Sequence, residues 1–263
     1  MFILACIPAF NEASKISEIV ADAKKYVDEV VVCDDGSTDS TADAAENSGA
    51  YVIKHHTNEG KGSAMKSLFK YALRSQADVI VTIDGDGQFL PKDIPKLCEP
   101  IILGVSDIVK GYRFDDDYKE MPSYRKFGNR FLDQLTSVSS NISLRDTQSG
   151  FRAYSKDAIK KITLSTNGFG ADAEILIDAA KKGLRISEEK VTVLYNVGSK
   201  TSTKNPVMLG TEIAASIIQQ ILIRNPFRYL GLPGIAFIIL GAISCTYLIT
   251  IFNETQYFSI PFT

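Results

Sequence analysis

Tryptophan is absent from this chain of 263 residues, histidine occurs twice and cysteine four times. The cysteines, Cys6, Cys33, Cys98 and Cys245, are widely scattered and form no CxxC pair, which excludes a paired-thiol metal or redox motif. The first two lie in apolar runs and read as reduced structural residues. Charge of one sign is also lacking. With 29 Lys and Arg against 31 Asp and Glu the net charge is −2, so no overall basic field exists to hold a nucleic acid, and no nucleic acid partner is expected. The length excludes a minimal binding peptide and fits one large α/β domain or two small ones. Charge is scarcest near the carboxyl end: from Asn205 to Thr263 only Glu212, Arg224, Arg228 and Glu254 are charged, against 23% overall. That stretch is built for a solvent other than water.

The preceding part has an alternating rhythm. Apolar Phe2 to Ile7 leads to a polar helical stretch near Ala13 to Tyr26, then apolar Glu29 to Cys33 and a helical stretch near Thr38 to Asn47. Tyr51 to Lys54, a helix near Gly62 to Ser75 and the β-branched run Asp78 to Ile83 continue it. Such βαβα order predicts an α/β fold with a mostly parallel, doubly wound sheet covered on both faces. Further on, Ser106 to Gly111 reads as a short strand, Lys119 to Ser139 as a polar loop leading into a helix, and Asp146 to Tyr154 as a compact polar segment. A helix near Ala173 to Lys182 ends at Gly183, and Ile186 to Leu194 reads as a late strand.

From Val207 to Ile223 apolar residues recur at helical spacing opposite Glu212, Ser216, Gln219 and Gln220, which predicts an amphipathic helix. Arg224 and Arg228 follow, and Tyr229 to Phe252 then carries no charge. As a helix this run reaches roughly 36 Å, enough for a hydrocarbon layer of about 30 Å. It is read as one membrane-spanning helix, over the plainer reading of a buried core helix. Met1 to Pro8 has neither a basic n-region nor a cleavage site, so no secretory signal is expected. The arginines on the near side of the span place the preceding residues in the cytoplasm, with the amphipathic helix resting on the bilayer. The expected organisation is a catalytic domain over 1–204, an interfacial helix and basic linker over 205–228, a membrane helix over 229–252 and a tail over 253–263. One membrane helix is compatible with a chain acting alone, and nothing in the sequence sets its oligomeric state.

In a doubly wound sheet, ligands bind beyond the carboxyl ends of the strands. Three polar motifs fall there: Asn11-Glu12, Asp34-Asp35-Gly36-Ser37 and Asp84-Gly85-Asp86-Gly87-Gln88. Each alone reads equally as a turn or helix cap; three on one rim point to a ligand. Asp84 and Asp86 flank a glycine at a strand end and can hold a hard divalent cation that shares its remaining sites with substrate phosphates, a pattern that suits a nucleoside diphosphate. A calcium EF-hand is excluded because Phe89 stands where glycine is needed and Pro95 where the closing Glu belongs. Gly60-Lys61-Gly62-Ser63 is not a Walker motif, since Gly62 follows the lysine. His55-His56 has no third ligand nearby and reads as strand-end polar residues rather than metal ligands.

Pro8-Ala9-Phe10-Asn11-Glu12, Asp34-Asp35-Gly36-Ser37-Thr38-Asp39, Asn58-Glu59-Gly60-Lys61-Gly62, Asp84-Gly85-Asp86-Gly87-Gln88 and Ser149-Gly150-Phe151-Arg152, in this order, resemble family 2 glycosyltransferases of the dolichyl-phosphate mannose synthase type, over roughly residues 2 to 200. The resemblance implies a GT-A fold, a nucleotide-sugar donor of the GDP-mannose or UDP-glucose type, Mg2+ or Mn2+, and a polyprenyl (dolichyl) phosphate acceptor. It implies nucleoside contacts from Pro8, Phe10 and Glu12, a base or ribose contact from Asp35, and donor contacts from Asp84, Gly85 and Asp86, with Asp84 near the sugar. Asp86 and Gln88 match metal ligands. Arg113 and Arg125 match basic positions that take phosphate oxygens, the plainer reading being a solvated surface charge; with Asp84 they form the expected catalytic set. Arg152 reads as a brace paired with Asp146. The chain departs from the family pattern at Asn196, where arginine is expected, and Lys200 or Lys204 is expected to supply that charge to the acceptor phosphate.

The implied chemistry is self-consistent. A phosphate monoester, with a second pKa of about 6, is already anionic at neutral pH and needs little help from a base. The leaving group carries the difficulty, which a cation at Asp86 and Gln88 would relieve, and in-line attack inverts the anomeric centre. Two alternatives stand beside this reading. Transfer to a hydroxyl of a growing glycan needs a base, commonly an Asp within a Glu-Asp pair followed by a Gln-x-x-Arg-Trp segment; the chain has no such segment. A membrane-tethered nucleotide-binding module without catalysis would tolerate Asn at positions 84 and 86.

Overall fold

The computed structural model describes residues 1–112, 132–134, 136–137, 146–194, 206–224 and 226–256. It divides into two units, Met1–Ile217 and Ile218–Thr263.

The first unit is a mixed sheet covered by helices. In chain order its elements are β1 (Ile3–Ala9), α1 (Ile16–Ala23), β2 (Glu29–Asp34), α2 (Thr41–Asn47), β3 (Tyr51–Lys54), α3 (Lys61–Arg74), β4 (Val79–Thr82), α4 (Ile94–Ile102), β5 (Ile108–Tyr112), β6 (Arg152–Ser155), α5 (Lys156–Lys161), α6 (Ala171–Lys181) and β7 (Ile186–Lys190). Strand order is β3-β2-β1-β4-β6-β5-β7. Every neighbouring pair is parallel except those of β6, which runs antiparallel to β4 and β5. Six strands therefore end on one rim.

The apolar run of β1 alternates between two cores. Ala5, Ile7 and Ala9 face one layer with Ile16, Val20, Leu97 and Cys98 from α1 and α4. Leu4 and Cys6 face the other, with Met65, Leu68 and Ala72 of α3 and Ile175 and Ala179 of α6. Each large apolar side chain so buried contributes roughly 1.5–3 kcal/mol, and a strand buried on both sides needs no polar alternation.

Two elements lie where the sequence reading places neither a helix nor a strand, although Ile94, Leu97, Cys98 and Ile101 of the first recur at helical spacing. α4 carries Pro95 in its first turn, where a missing N–H is harmless, and Pro100 inside it. β6 lies within the segment read as compact and polar, and its first residue, Arg152, is fully buried.

A further helix, α7 (Pro206–Arg224), runs across the division at Ile217; Ile213 and Ile217 are buried in the first unit. In the second unit a π-helical turn, Phe227–Gly231, leads into α8 (Leu232–Thr255). The run Tyr229–Glu254 is long and apolar enough to cross a membrane. Its apolar residues cover all sides, and Phe237 and Ile238 are each 72% exposed, which suits lipid rather than water.

Candidate active site

The carboxyl ends of β1, β2 and β4 carry the three polar motifs. The loops after β1 and β2 are stitched together: Asn11 N–H donates to Ser37 Oγ (2.8 Å), Thr38 N–H to Asn11 Oδ1 (2.8 Å), Glu12 N–H to Thr41 Oγ1 (2.8 Å) and Ala13 N–H to Asp39 (3.2 Å). Asn11 takes a left-handed conformation (φ 57°) to make this turn. The motifs beginning at Pro8 and Asp34 thus form one cross-linked wall, with Pro8 paired to Cys33 in the sheet and Phe10 half-buried.

Glu12 projects toward the β4 end. Burial, followed by the charges of Asp86, Asp39 and Asp84, pushes its carboxyl from 4.5 up to about 7. Asp86 Oδ1 accepts the Gln88 N–H at 3.0 Å, which puts both residues on one turn. Among the described residues no three His, Cys, Asp or Glu side chains are placed to form a cation cage. One carboxylate and one amide oxygen on such a turn suit a hard cation that takes its other ligands from a diphosphate. Gly85 passes close to β1, where a Cβ would stand 3.1 Å from the Pro8 carbonyl oxygen.

Asp35 is buried, and its carboxylate is already engaged. It accepts the N–H groups of Glu59 (3.1 Å) and Gly60 (2.7 Å) and lies 2.7 Å from His55 Nδ1. The other ring nitrogen of His55 lies 2.8 Å from Ser67 Oγ on α3. His55 is a strand-end polar residue, as expected, and its two ring nitrogens tie β2 to α3.

Lys61, the first residue of α3, carries the least expected contacts. Its Nζ lies 2.8 Å from Asp84 and 2.8 Å from Asp172 on α6. Burial works against the ammonium, but Asp172 and Asp84 outweigh it and raise the lysine pKa above its ordinary range. Asp172 also lies 3.9 Å from Arg152. Arg152 does brace the fold, donating to the carbonyls of Ser149 (2.9 Å), Thr147 (2.9 Å) and Asp172 (2.8 Å); its carboxylate partner is Asp172 rather than the expected Asp146. Gly150 makes room for Asp84, because a Cβ there would stand 2.6 Å from the Asp84 carboxyl carbon. The α3 N-terminus is covered by protein, with Gly62 N–H donating to the Asn167 carbonyl at 2.6 Å. This agrees with the exclusion of a Walker loop.

Of the expected site residues, Glu12, Asp84, Gly85, Asp86 and Gln88 share the rim with Pro8, Phe10 and Asp35. Arg113, Arg125, Lys200 and Lys204 lie outside the described residues. Arg113 directly follows the rim end of β5, and Leu194, whose N–H donates to the Gln88 carbonyl (2.8 Å), precedes the segment containing Lys200. Sequence reasoning did not find Asp172 or the part played by Lys61; the contact spans 111 positions and no local pattern announces it.

Comparison with known proteins identifies the class to which this fold belongs. Residues 4–163 match the glycosyl transferase family 2 model, and the chain belongs to that family. It is 33% identical over 229 residues to a UDP-N-acetylglucosamine–dolichyl-phosphate N-acetylglucosaminyltransferase of Methanococcus voltae, covering 79% of this chain and 91% of the relative. It is 31% identical to a dolichyl-phosphate hexose transferase of Haloferax volcanii (80% and 90% covered) and 30% identical to an undecaprenyl-phosphate mannosyltransferase of Micrococcus luteus (73% and 83%). The fold is shared with glucosyl-3-phosphoglycerate synthase of Mycobacterium tuberculosis, solved with Mn2+, UDP and glucosyl-3-phosphoglycerate (TM-score 0.64, 22% identity, 84% of this chain and 80% of that one). The chain is a family 2 glycosyltransferase with a GT-A-like mixed sheet and a carboxyl-terminal helix able to span a membrane.

Proposed function

We propose that this enzyme moves a single sugar from a nucleotide-sugar donor to a polyprenyl phosphate of the dolichyl type at the cytoplasmic membrane face, with inversion and with a divalent cation. The observation that carries this reading is the rim where Asp84, Asp86 and Gln88 follow β4 beside the cross-linked loops after β1 and β2. That donor set, one carboxylate and one amide oxygen, favours a cation arriving with a diphosphate. Mg2+ or Mn2+ held by Asp86 and Gln88 would supply neutralisation of the charge growing on the departing nucleoside diphosphate.

The chain's own residues do the rest. Pro8, Phe10 and Glu12 face the nucleoside. Asp35, its carboxylate engaged by Glu59, Gly60 and His55, holds the turn at Glu59 and Gly60 in place. Asp84 faces the sugar, and Arg113, Arg125 and Lys200 gather the acceptor phosphate by charge-assisted hydrogen bonds for in-line attack. An acceptor already ionised needs no base. Consistent with that, Asp172, the carboxylate joined to Asp84 through Lys61, is occupied by Lys61 and Arg152 rather than open to a hydroxyl.

The similarity to dolichyl- and undecaprenyl-phosphate transferases favours a lipid phosphate as acceptor, while the donor, GDP-mannose or UDP-glucose in type, is what the family resemblance implies. Residues 1–204 form the catalytic part, 205–228 an interfacial helix and basic linker, 229–252 the span and 253–263 a tail. The span keeps the enzyme where the acceptor head group lies and raises its effective concentration. Purified full-length protein, offered a panel of nucleotide sugars with polyprenyl phosphate or a hydroxyl-bearing glycan lipid, tests this by product mass. One hexose or N-acetylhexosamine added to the lipid phosphate is expected; sugar appearing only on the hydroxyl acceptor contradicts it.

A further inference from the structure

Three of the sequence motifs meet at one ammonium group. Gly60 and Gly62 let α3 approach Thr166 and Asn167, where a Cβ at Gly62 would stand 2.8 Å from the Asn167 carbonyl carbon. That approach brings in Lys61, only 15% exposed, between Asp84 at the end of β4 and Asp172 at the start of α6. Gly150 leaves the hollow that receives the Asp84 carboxylate, and Thr82 Oγ1, two residues before Asp84, donates to the Gly150 carbonyl at 2.8 Å. Arg152, fully buried, fixes the Asp172 backbone through its carbonyl at 2.8 Å. Asp84 thus has a wall on one side and a cation on the other.

We propose that Lys61 is a positioning residue for the transfer reaction: clamped by Asp172, it holds the Asp84 carboxylate in the single orientation that faces the donor sugar. This rests on the reading of Asp84 given above. The cation is anchored from α6, a helix outside the donor wall, so its work is separable from donor binding. Without it, Asp84 keeps its place in the chain but is free to rotate away from Lys61's position. A misplacement on the order of 1 Å at a reacting centre costs about 10²-fold in rate.

Removing Lys61 alone would leave two carboxylates facing each other, so the informative variant is Lys61→Met with Asp172→Asn, which preserves the local net charge. Full-length wild type and variant are compared for kcat, for donor KM and for calorimetric binding of UDP and GDP in the presence of Mg2+. The expected result is kcat lowered about 10²-fold, with affinity for the nucleoside diphosphate and donor KM within about threefold of wild type, and Lys61→Arg recovering a large part of kcat. Wild-type kcat in the double variant overturns the inference. So does a loss of nucleotide affinity as large as the loss of kcat, which would make Lys61 a donor ligand. Failure of both variants to fold would assign the cluster to stability alone and overturn it too. If wild type adds no sugar to polyprenyl phosphate, it is the proposed function that fails; the same kcat comparison is then read on sugar passed to the hydroxyl acceptor or to water.

Discussion

Glu12 reports the burial and the charge already present at the rim. Its carboxyl titrates near 7 because it is buried and has Asp86, Asp39 and Asp84 as neighbours. A carboxyl whose folded pKa lies above its unfolded value contributes its full stability below the unfolded pKa and loses it as pH rises through the folded one. The thermal midpoint of cation-free protein is therefore expected to fall as pH rises between about 4.5 and about 7, and Glu12→Gln is expected to flatten that slope in a pH series of thermal melts. Gly150 makes the complementary point about space. Gly150→Ala would force a methyl group against the Asp84 carboxylate. About 1–3 kcal/mol of destabilisation is expected from the overpacking, with a fall in kcat of about 10²-fold from the displaced carboxylate; denaturant titration and steady-state kinetics read the two effects separately.

Among the elements, α3 connects fold and site. Its inner face is packed with Met65, Leu68 and Ala72, its first residue reaches Asp84, and its Ser67 meets His55. Gly62→Ala is expected to push the helix start away from Asn167 and to lower stability by about 1–3 kcal/mol in a thermal or urea melt. The elements that position the rim were legible in the sequence because β1, β2 and β4 are buried on both faces and therefore apolar through most of their length, and because polar motifs stand at their carboxyl ends. Tyr51 to Lys54 coincides with β3, and the helix near Gly62 to Ser75 with α3 to within a residue at each end. What the sequence hid has identifiable causes. α4 is masked by two prolines, one harmless in its first turn. β6 is masked by Arg152, a buried charge satisfied by three carbonyls that only the tertiary structure brings together. The Lys61–Asp172 contact joins two helix starts from opposite ends of the domain, and local patterning carries no record of such pairs.

At the scale of the whole molecule, the chain combines an α/β unit with a helix long and apolar enough to cross a membrane. A single arginine near the middle of that helix costs about 2.5–3.5 kcal/mol in a bilayer. Leu240→Arg, at a position 58% exposed, is expected to shift the protein from the membrane to the soluble fraction on sedimentation while the first unit keeps its thermal transition. The proposed membrane anchoring and sugar chemistry would thus be carried by different parts of one chain. The most direct test of the chemistry uses purified full-length protein with nucleotide-sugar donor and polyprenyl phosphate, with and without Mg2+ and a chelator, for wild type and Asp86→Ala. Sugar-phosphate lipid formed by wild type only when the cation is present, and abolished by the substitution, is the expected result. Undiminished turnover by Asp86→Ala in the presence of chelator would contradict the cation-assisted rim on which the account rests.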